Sequence, residues 1–414
     1  MVYAVKFSCA ITKCGVPRGD GMKKKIASML LSAVVVMGLL AGCNATPASE
    51  VGNNETTATG EASEGRSAIA LEDIKIGFVH ITDPSDMGYT YNHDLGTKEM
   101  QRVLGIRDDQ IINKFNVSED ASCETALREL IEAGCNVIFA TSFGFGDYVL
   151  QVAEEYPDVV FAHATGYKAA ESGLQNMHNY FASIYEARYL AGIAAGLKTE
   201  TNQLGYVAAF PFAEVISGYS AFYLGAKSVN PNVTMEIMYT NSWHDPTVES
   251  QVAKALIERG ADVLSQHSDS TAPATVAEEN EVWQVGYNND MIEAAPKASL
   301  VSARIDWSIY LIETVQAVLD GTEIPVDWCK GLAEGAVYLS PLNEEIVAGE
   351  TRGAIEVAAA AIHSGELKVF AGPLTGVSPD GEEINVAAGE HYPEQEVASA
   401  PSWNYVLEGC TVVE

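Results

Sequence analysis

Aromatic residues set beside Asn, Asp, His and Ser recur just after short apolar runs. The first group comprises Asp86-Met87-Gly88-Tyr89-Thr90-Tyr91-Asn92-His93-Asp94, Thr141-Ser142-Phe143-Gly144-Phe145-Gly146-Asp147 and Thr165-Gly166-Tyr167. Further along come Phe210-Pro211-Phe212, Asn241-Ser242-Trp243-His244-Asp245, Gln266-His267-Ser268-Asp269 and Asn288-Asn289-Asp290. Rings of this kind can sandwich a flat ligand, while amides and carboxylates read the donors and acceptors on its rim. Stacking a base on an aromatic ring is worth roughly 1–3 kcal/mol in single-stranded nucleic-acid systems. A site that would leave its own buried polar groups unpaired rejects a ligand lacking the matching group. Taken singly, each aromatic is equally well explained by loop packing. Their recurrence after one apolar run after another favours binding.

The signatures of catalysis are missing. There is no GxSxG, no HExxH, no GxGxxG after a strand and no GxxxxGK[ST]. Gly192-Ile193-Ala194-Ala195-Gly196-Leu197-Lys198-Thr199 looks faintly like a phosphate loop, but its spacing is wrong and it lies inside a helical pattern. It reads as helix packing. Among His80, His163, His244 and His267, no pair has the i, i+4 spacing of metal ligands. No metal, cofactor or enzymatic activity is expected. His267, between Gln266 and Asp269, is the histidine to test first as a ligand contact.

What positions these segments is an alternation of short β-rich runs with longer helical patterns. Candidate strands are Ile74–Val79, Gln110–Phe115, Val137–Ala140, Val159–His163, Leu204–Ala208, Thr234–Tyr239, Val263–Ser265, Trp283–Tyr287 and Leu300–Ala303. Helical patterns lie over Cys123–Gly134, Asp147–Glu155, Ile184–Leu197, Ala213–Ser228, Pro246–Arg259, Thr271–Glu278 and Ile309–Leu319. Such alternation predicts parallel sheets covered on both faces. A strand-helix series up to about Asn179 is followed by a second from Ile184, so two similar lobes are expected, with strand ends facing a shared cleft.

The N-terminal part carries a different message. Met22-Lys23-Lys24-Lys25 precedes an uncharged run from Ile26 to Leu40, closed by Leu40-Ala41-Gly42-Cys43. That order is a secretory signal. Its apolar core is shorter than the roughly 20 residues of a spanning helix. The cysteine at the cleavage point makes it resemble a bacterial lipoprotein signal, with Cys43 the lipidated first residue. Residues 1–21 precede a second methionine and are expected to reflect a start placed too early. Residues 44–72, poor in large apolar side chains, read as a flexible tether. Beyond Cys43 remain 18 basic and 55 acidic residues, a net charge of -37. A surface this acidic repels nucleic acid and anionic lipid and suits a monomer held at a membrane only by its anchor. Cys123, Cys135, Cys329 and Cys410 match no zinc spacing and read as buried thiols, with a disulfide left open.

Several longer segments together resemble the basic membrane lipoprotein (BMP) group of ABC-transporter substrate-binding proteins. They are KIGFVHITDPSDMGYTYNHDLGTKEM at 75–100, GCNVIFATSFGFGDYVLQVAEEYPDVVFAHATGYK at 134–168 and the stretch from Ser183 to Thr234. NSWHDPTVESQVAKALIERGADVLSQHSDS at 241–270, VQAVLDGT at 315–322 and FAGPLTG at 370–376 extend the likeness toward the C terminus. The resemblance implies a type I periplasmic-binding fold: two doubly wound α/β lobes joined by a three-strand hinge. It places lobe 1 at 73–180 plus 300–322, and lobe 2 at 181–299 plus 323–414. It further implies closure on a purine nucleoside or related molecule and delivery to a membrane permease. The family's stacking phenylalanine falls on Tyr89. A ribose-holding acid aligns with Asn288 and a nearby lysine with Ala303, beside Arg304, which removes charge from the sugar site and favours a free base such as adenine. Tyr89, Tyr91, Phe143 and Tyr185 are then expected as stacking walls. Asp86, Trp243, His267, Asn288 and Asp290 are expected at the rim, and Trp307 near the cleft where the chain crosses between lobes. The alternatives are a sugar or other small metabolite, or a surface sensor lipoprotein without transport.

Overall fold

In the computed structural model, which describes residues 66–414, strands and helices alternate from Ile76 onward. The first series is β1 (Ile76–Val79), α1 (Tyr89–Leu104), β2 (Ile111–Lys114), α2 (Ala121–Glu132), β3 (Val137–Ala140), α3 (Gly146–Glu155), β4 (Val160–Ala164), the short α4 (Lys168–Ser172) and β5 (Met177–Tyr180). The strands pair in parallel in the order β2-β1-β3-β4-β5. β1 and β3 are buried along their whole length, which is why they read as unbroken apolar runs.

The second series is α5 (Ile184–Lys198), β6 (Gln203–Ala208), α6 (Ala213–Val229), β7 (Thr234–Tyr239), α7 (Pro246–Glu258), β8 (Val263–His267), α8 (Ala272–Glu279), β9 (Trp283–Tyr287) and β10 (Ser299–Ile305). Its parallel core has the order β10-β9-β8-β6-β7. The chain then runs through α9 (Trp307–Asp320), β11 (Asp327–Trp328), β12 (Val337–Leu339) and α10 (Thr351–His363). A small antiparallel sheet of β13 (Leu374–Val377), β14 (Glu383–Val386) and β15 (Val406–Leu407) follows, and β16 (Cys410–Val412) joins the free edge of β7.

Two boundaries differ from the sequence reading. Residues 300–305 were expected in lobe 1, but β10 is hydrogen-bonded to β9 and β12 and belongs to the second sheet. Conversely, β11 extends the first sheet at β5, although residues from 323 were expected in lobe 2. Strand pairing, invisible in the apolar pattern, decides both. The chain therefore crosses between sheets at residues 181–183, at Asp306 and at 329–336. These crossings are tied to one another: Phe181 N donates to Trp328 O at 3.1 Å, Ser183 N to Lys330 O at 2.9 Å and Asp306 N to Ala336 O at 2.8 Å.

The expected tether also ends earlier than residue 72. Ile69 N donates to Val318 O at the end of α9, and Gln110 Nε2 donates to Leu71 O at 2.7 Å. Apolar Ile69 packs against the core and draws the chain down with it. The signal segment and Cys43 lie outside the described residues. The four later cysteines are free thiols, Cys123 and Cys135 fully buried.

Gly192 settles its own segment. It faces α6 so closely that a Cβ there would stand 2.0 Å from Phe222 O, and one at Gly225 of α6 would stand 1.9 Å from Tyr189 O. These glycines let two buried helices meet backbone to backbone.

Candidate functional site: a pocket between the sheets

The carboxyl ends of both sets of strands converge on one pocket lined by both sheets. The first sheet supplies Ile81 after β1, Tyr89 at the start of α1, Thr141, Ser142 and Phe143 after β3, and Thr165 after β4. The second supplies Trp243 after β7, His267 and Asp269 at and beyond the end of β8, Tyr287 ending β9, and Glu214 in the first turn of α6.

Tyr89 is held from behind. Its ring meets Trp307 edge-on at 5.8 Å and His93 at 4.5 Å, while His93 stacks on Trp307 at 4.1 Å. Burial pulls the His93 imidazole well below its ordinary pKa, so this support is neutral. Trp307 thus braces the wall instead of forming it.

Contacts between the lobes cover the cavity. Phe143 of the first meets Phe212 of the second at 5.3 Å, and Phe210 lies 5.2 Å from Phe212 and 5.0 Å from Trp243. Trp243 Nε1 donates to Glu119 Oε2 across the cleft at 3.3 Å. The other oxygen of Glu119 accepts from Ser142 Oγ at 2.6 Å and from Gly144 N at 2.7 Å. Gly88 allows the closest approach: a Cβ there would stand 2.6 Å from Asp269 O on the opposite lobe.

Beneath the second-lobe wall lies Arg188, 1% exposed. Its guanidinium sits 3.7 Å over the Tyr287 ring and donates from Nη1 to Gln266 O at 2.7 Å. Burial, then this cation, holds the His267 imidazole well below its ordinary range. The 3.5 Å approach of His267 Nε2 to Glu214 Oε1 is therefore a polar contact and not an ion pair. Burial and the Glu119 carboxylate push the Glu214 carboxyl up to about 8 against the pull of Arg188. Asp269 is driven well above the carboxylate range by burial and by the acids Asp86, Glu249 and Glu214, with Arg188 opposing.

Of the residues singled out from the sequence, Tyr89, Phe143, Trp243 and His267 meet at the cavity. Asp86 does not line it: its carboxylate accepts from Thr82 Oγ1 and from the N–H groups of Gly88, Thr90 and Tyr91, satisfying the start of α1. Tyr91 lies one step along that helix, off the lining. Tyr185 points elsewhere in the second lobe, its ring on Phe370 and its hydroxyl donating to Glu394 O at 3.5 Å. Asn288, buried with φ of 64°, stands behind Asp269 and donates to its Oδ1 at 3.4 Å. The Asp290 carboxylate accepts from Ile292 N. Arg304 is tied down by donating to Asn288 O at 3.0 Å and to Asn92 Oδ1 at 3.2 Å.

The lining residues not singled out include Asp269, Tyr287, Thr141, Ser142 and Thr165, which sit in or beside the strand-end segments. Glu214 had a fainter signal: it is the one acid of a helix whose other buried residues are mostly apolar. Nothing in the sequence marks Ile81.

Two parallel-sheet lobes, three crossings and a cavity at the strand ends define a two-lobed solute-binding protein. The profile of the PnrA-like ABC transporter substrate-binding proteins matches residues 74–364, and the chain belongs to that family. A purine-binding protein of Brucella abortus is 39% identical over 80% of this chain and 92% of its own. A Haloferax volcanii protein, named as a candidate ABC transporter glucose-binding protein, is 35% identical over 79% of this chain and 80% of its own. A solved ABC transporter solute-binding protein of Aeropyrum pernix shares the fold, with a TM-score of 0.62 at 17% identity over 71% of this chain and 92% of that one.

Proposed function

We propose that this protein captures a purine base, adenine-like, between its lobes and hands it to the permease of an ABC importer. The observation that carries this reading is the pocket between the lobes, walled by Tyr89, Phe143 and Trp243 and edged by Thr165, Glu214, His267, Asp269 and Tyr287. Rings on the walls and donors and acceptors between them suit a flat heterocycle. Only a ligand touching both lobes binds the closed form preferentially and so shifts the open-closed balance. The purine-binding name of the Brucella relative supports the same class.

A base is favoured over a nucleoside because the position expected to hold ribose carries neutral Asn288, and the nearby cation Arg304 already donates to protein oxygens. A sugar is the second reading, favoured by the glucose-binding name of the Haloferax relative. In this account Cys43 is the lipid anchor outside the cytoplasmic membrane, and the protein works as a monomer without enzymatic turnover. Calorimetry with adenine, guanine, hypoxanthine, adenosine, inosine and glucose decides between the readings. Adenine should bind most tightly; glucose binding with no purine binding would replace the purine reading with the sugar one. Mass analysis of the N-terminal peptide should find diacylglycerol on Cys43, and a free thiol there would remove the anchor.

A further inference from the structure

Among the described residues, three buried carboxyl groups are well supplied with donors. Glu249, fully buried, accepts from Ser268 Oγ at 2.8 Å, Ser270 Oγ at 2.6 Å and Asp245 N at 3.0 Å. Glu394 accepts from Ser217 Oγ, Ser402 N, Ser402 Oγ and Trp403 N. Asp86 accepts from four donors at the start of α1. Each is supplied with several donors in place of its lost water.

Glu214 is not. It is 9% exposed, lines the cavity, and receives nothing stronger than the 3.5 Å approach of His267 Nε2. The charged and titratable groups around it come from every neighbouring element. They are His267 on β8, Asp269 beyond it, Tyr287 on β9, Tyr89 on α1, Glu119 before α2 and Arg188 on α5. Only Arg188 is cationic. Its guanidinium is committed in part to Tyr287 and Gln266 O, and the Asp269 carboxyl shares its field. A buried carboxyl without donors, facing other acids, is stable with its proton on.

We propose that Glu214 reads the bound base as a neutral carboxylic acid, presenting its O–H and C=O side by side to an acceptor-donor edge of the ring. This rests on the purine-base reading above and deepens it. An acceptor nitrogen next to an exocyclic amine, as adenine has, matches that pair with two hydrogen bonds. An ionised carboxylate would meet the same nitrogen lone pair with repulsion. The push of the Glu214 pKa to about 8 agrees with the geometry. It also fixes the sign of the effect: raising the pH through that value removes the donor, so affinity falls.

The test is calorimetric affinity for adenine, which stays uncharged from about pH 6 to about pH 9, measured on the wild type, Glu214→Gln and Glu214→Ala. Wild-type affinity should be level below neutrality and fall about tenfold per pH unit above about pH 8, the slope of one proton. Glu214→Gln keeps a donor and an acceptor, so it should bind within a few-fold of wild type with a level profile. Glu214→Ala should bind about tenfold or more weakly than wild type below about pH 8, with a level profile, since it leaves the ligand edge unpaired. A thermal melt of each variant confirms folding, and the wild-type profile needs no variant at all. Affinity that rises through pH 8, or a level wild-type profile, would overturn the proposal while leaving purine binding intact. So would a slope that persists in Glu214→Gln and disappears in Asp269→Asn. No purine binding at any pH would instead overturn the functional reading, and this inference with it.

Discussion

Trp243 of the second lobe donates its indole N–H to Glu119 of the first across 3.3 Å, and the same carboxylate fastens Ser142 and Gly144 on its own side. One acid therefore links the loop after β3 to the opposite lobe, directly over the cavity. A hydrogen bond to a charged group contributes about 1.5–3 kcal/mol, and this one exists only when the lobes are together. Glu119→Ala should release adenine roughly tenfold faster in stopped-flow measurements, with the association rate little changed. A slower association at unchanged release would show that the contact guides encounter instead of holding closure.

Tyr89 offers the cleanest separation of ring from hydroxyl. Its ring lines the cavity and is braced by His93 and Trp307. Tyr89→Phe should keep purine affinity within a few-fold, whereas Tyr89→Ala should lose about 1–3 kcal/mol, the value of a stacked base. Equal losses in both variants would assign the hydroxyl, not the face, to the ligand.

The glycine pair between α5 and α6 should report on stability alone. A methyl at Gly192 would press on Phe222 O, and overpacking of a close-packed interior costs about 1–3 kcal/mol or more. Gly192→Ala should lower the urea midpoint clearly while the folded fraction binds adenine normally. An unchanged midpoint would mean that the helices separate freely.

His178, on β5, tests the cost of a buried neutral imidazole far from the ligand. Burial holds it down at about 4, and it donates from Nδ1 to Pro325 O at 3.0 Å. The unfolded chain takes up a proton near pH 6.5 and the folded chain does not. The stabilising contribution is therefore whole above about pH 6.5 and is lost as pH falls toward about 4, by up to ~1.4 kcal/mol per pH unit. Asparagine can keep the same donor without titrating. The stability of wild type relative to His178→Asn, from urea melts, should shrink steadily over that interval; a constant difference would show that the histidine is protonated in the fold.

Much of the architecture was legible because buried parallel strands need apolar side chains on both faces. Val137–Ala140 and Trp283–Tyr287 were delimited correctly for that reason, and Thr234–Tyr239, a half-buried edge-side strand, was delimited correctly too. β5 was hidden because its sequence, Met-His-Asn-Tyr, is half polar although it is wholly buried. α1 was hidden because Asn92, His93, Gly96 and Thr97 occupy its buried face in place of an apolar stripe. For the site, the sequence located the strand ends but not the side chains that turn inward. Asp86 and Asp269 look alike as strand-end acids, yet one caps a helix and the other lines the cavity. Tyr287 faces the cavity while its neighbour Asn288 supports Asp269 from behind. Such choices arise from packing between distant segments.

The most direct measurement is native mass spectrometry of freshly purified protein with no ligand added, followed by exchange with adenine. A protein that holds a purine base between its lobes should carry a co-purified mass equal to one purine, displaced stoichiometrically by labelled adenine. A bound hexose mass, or a bound molecule that no purine displaces, would contradict the account.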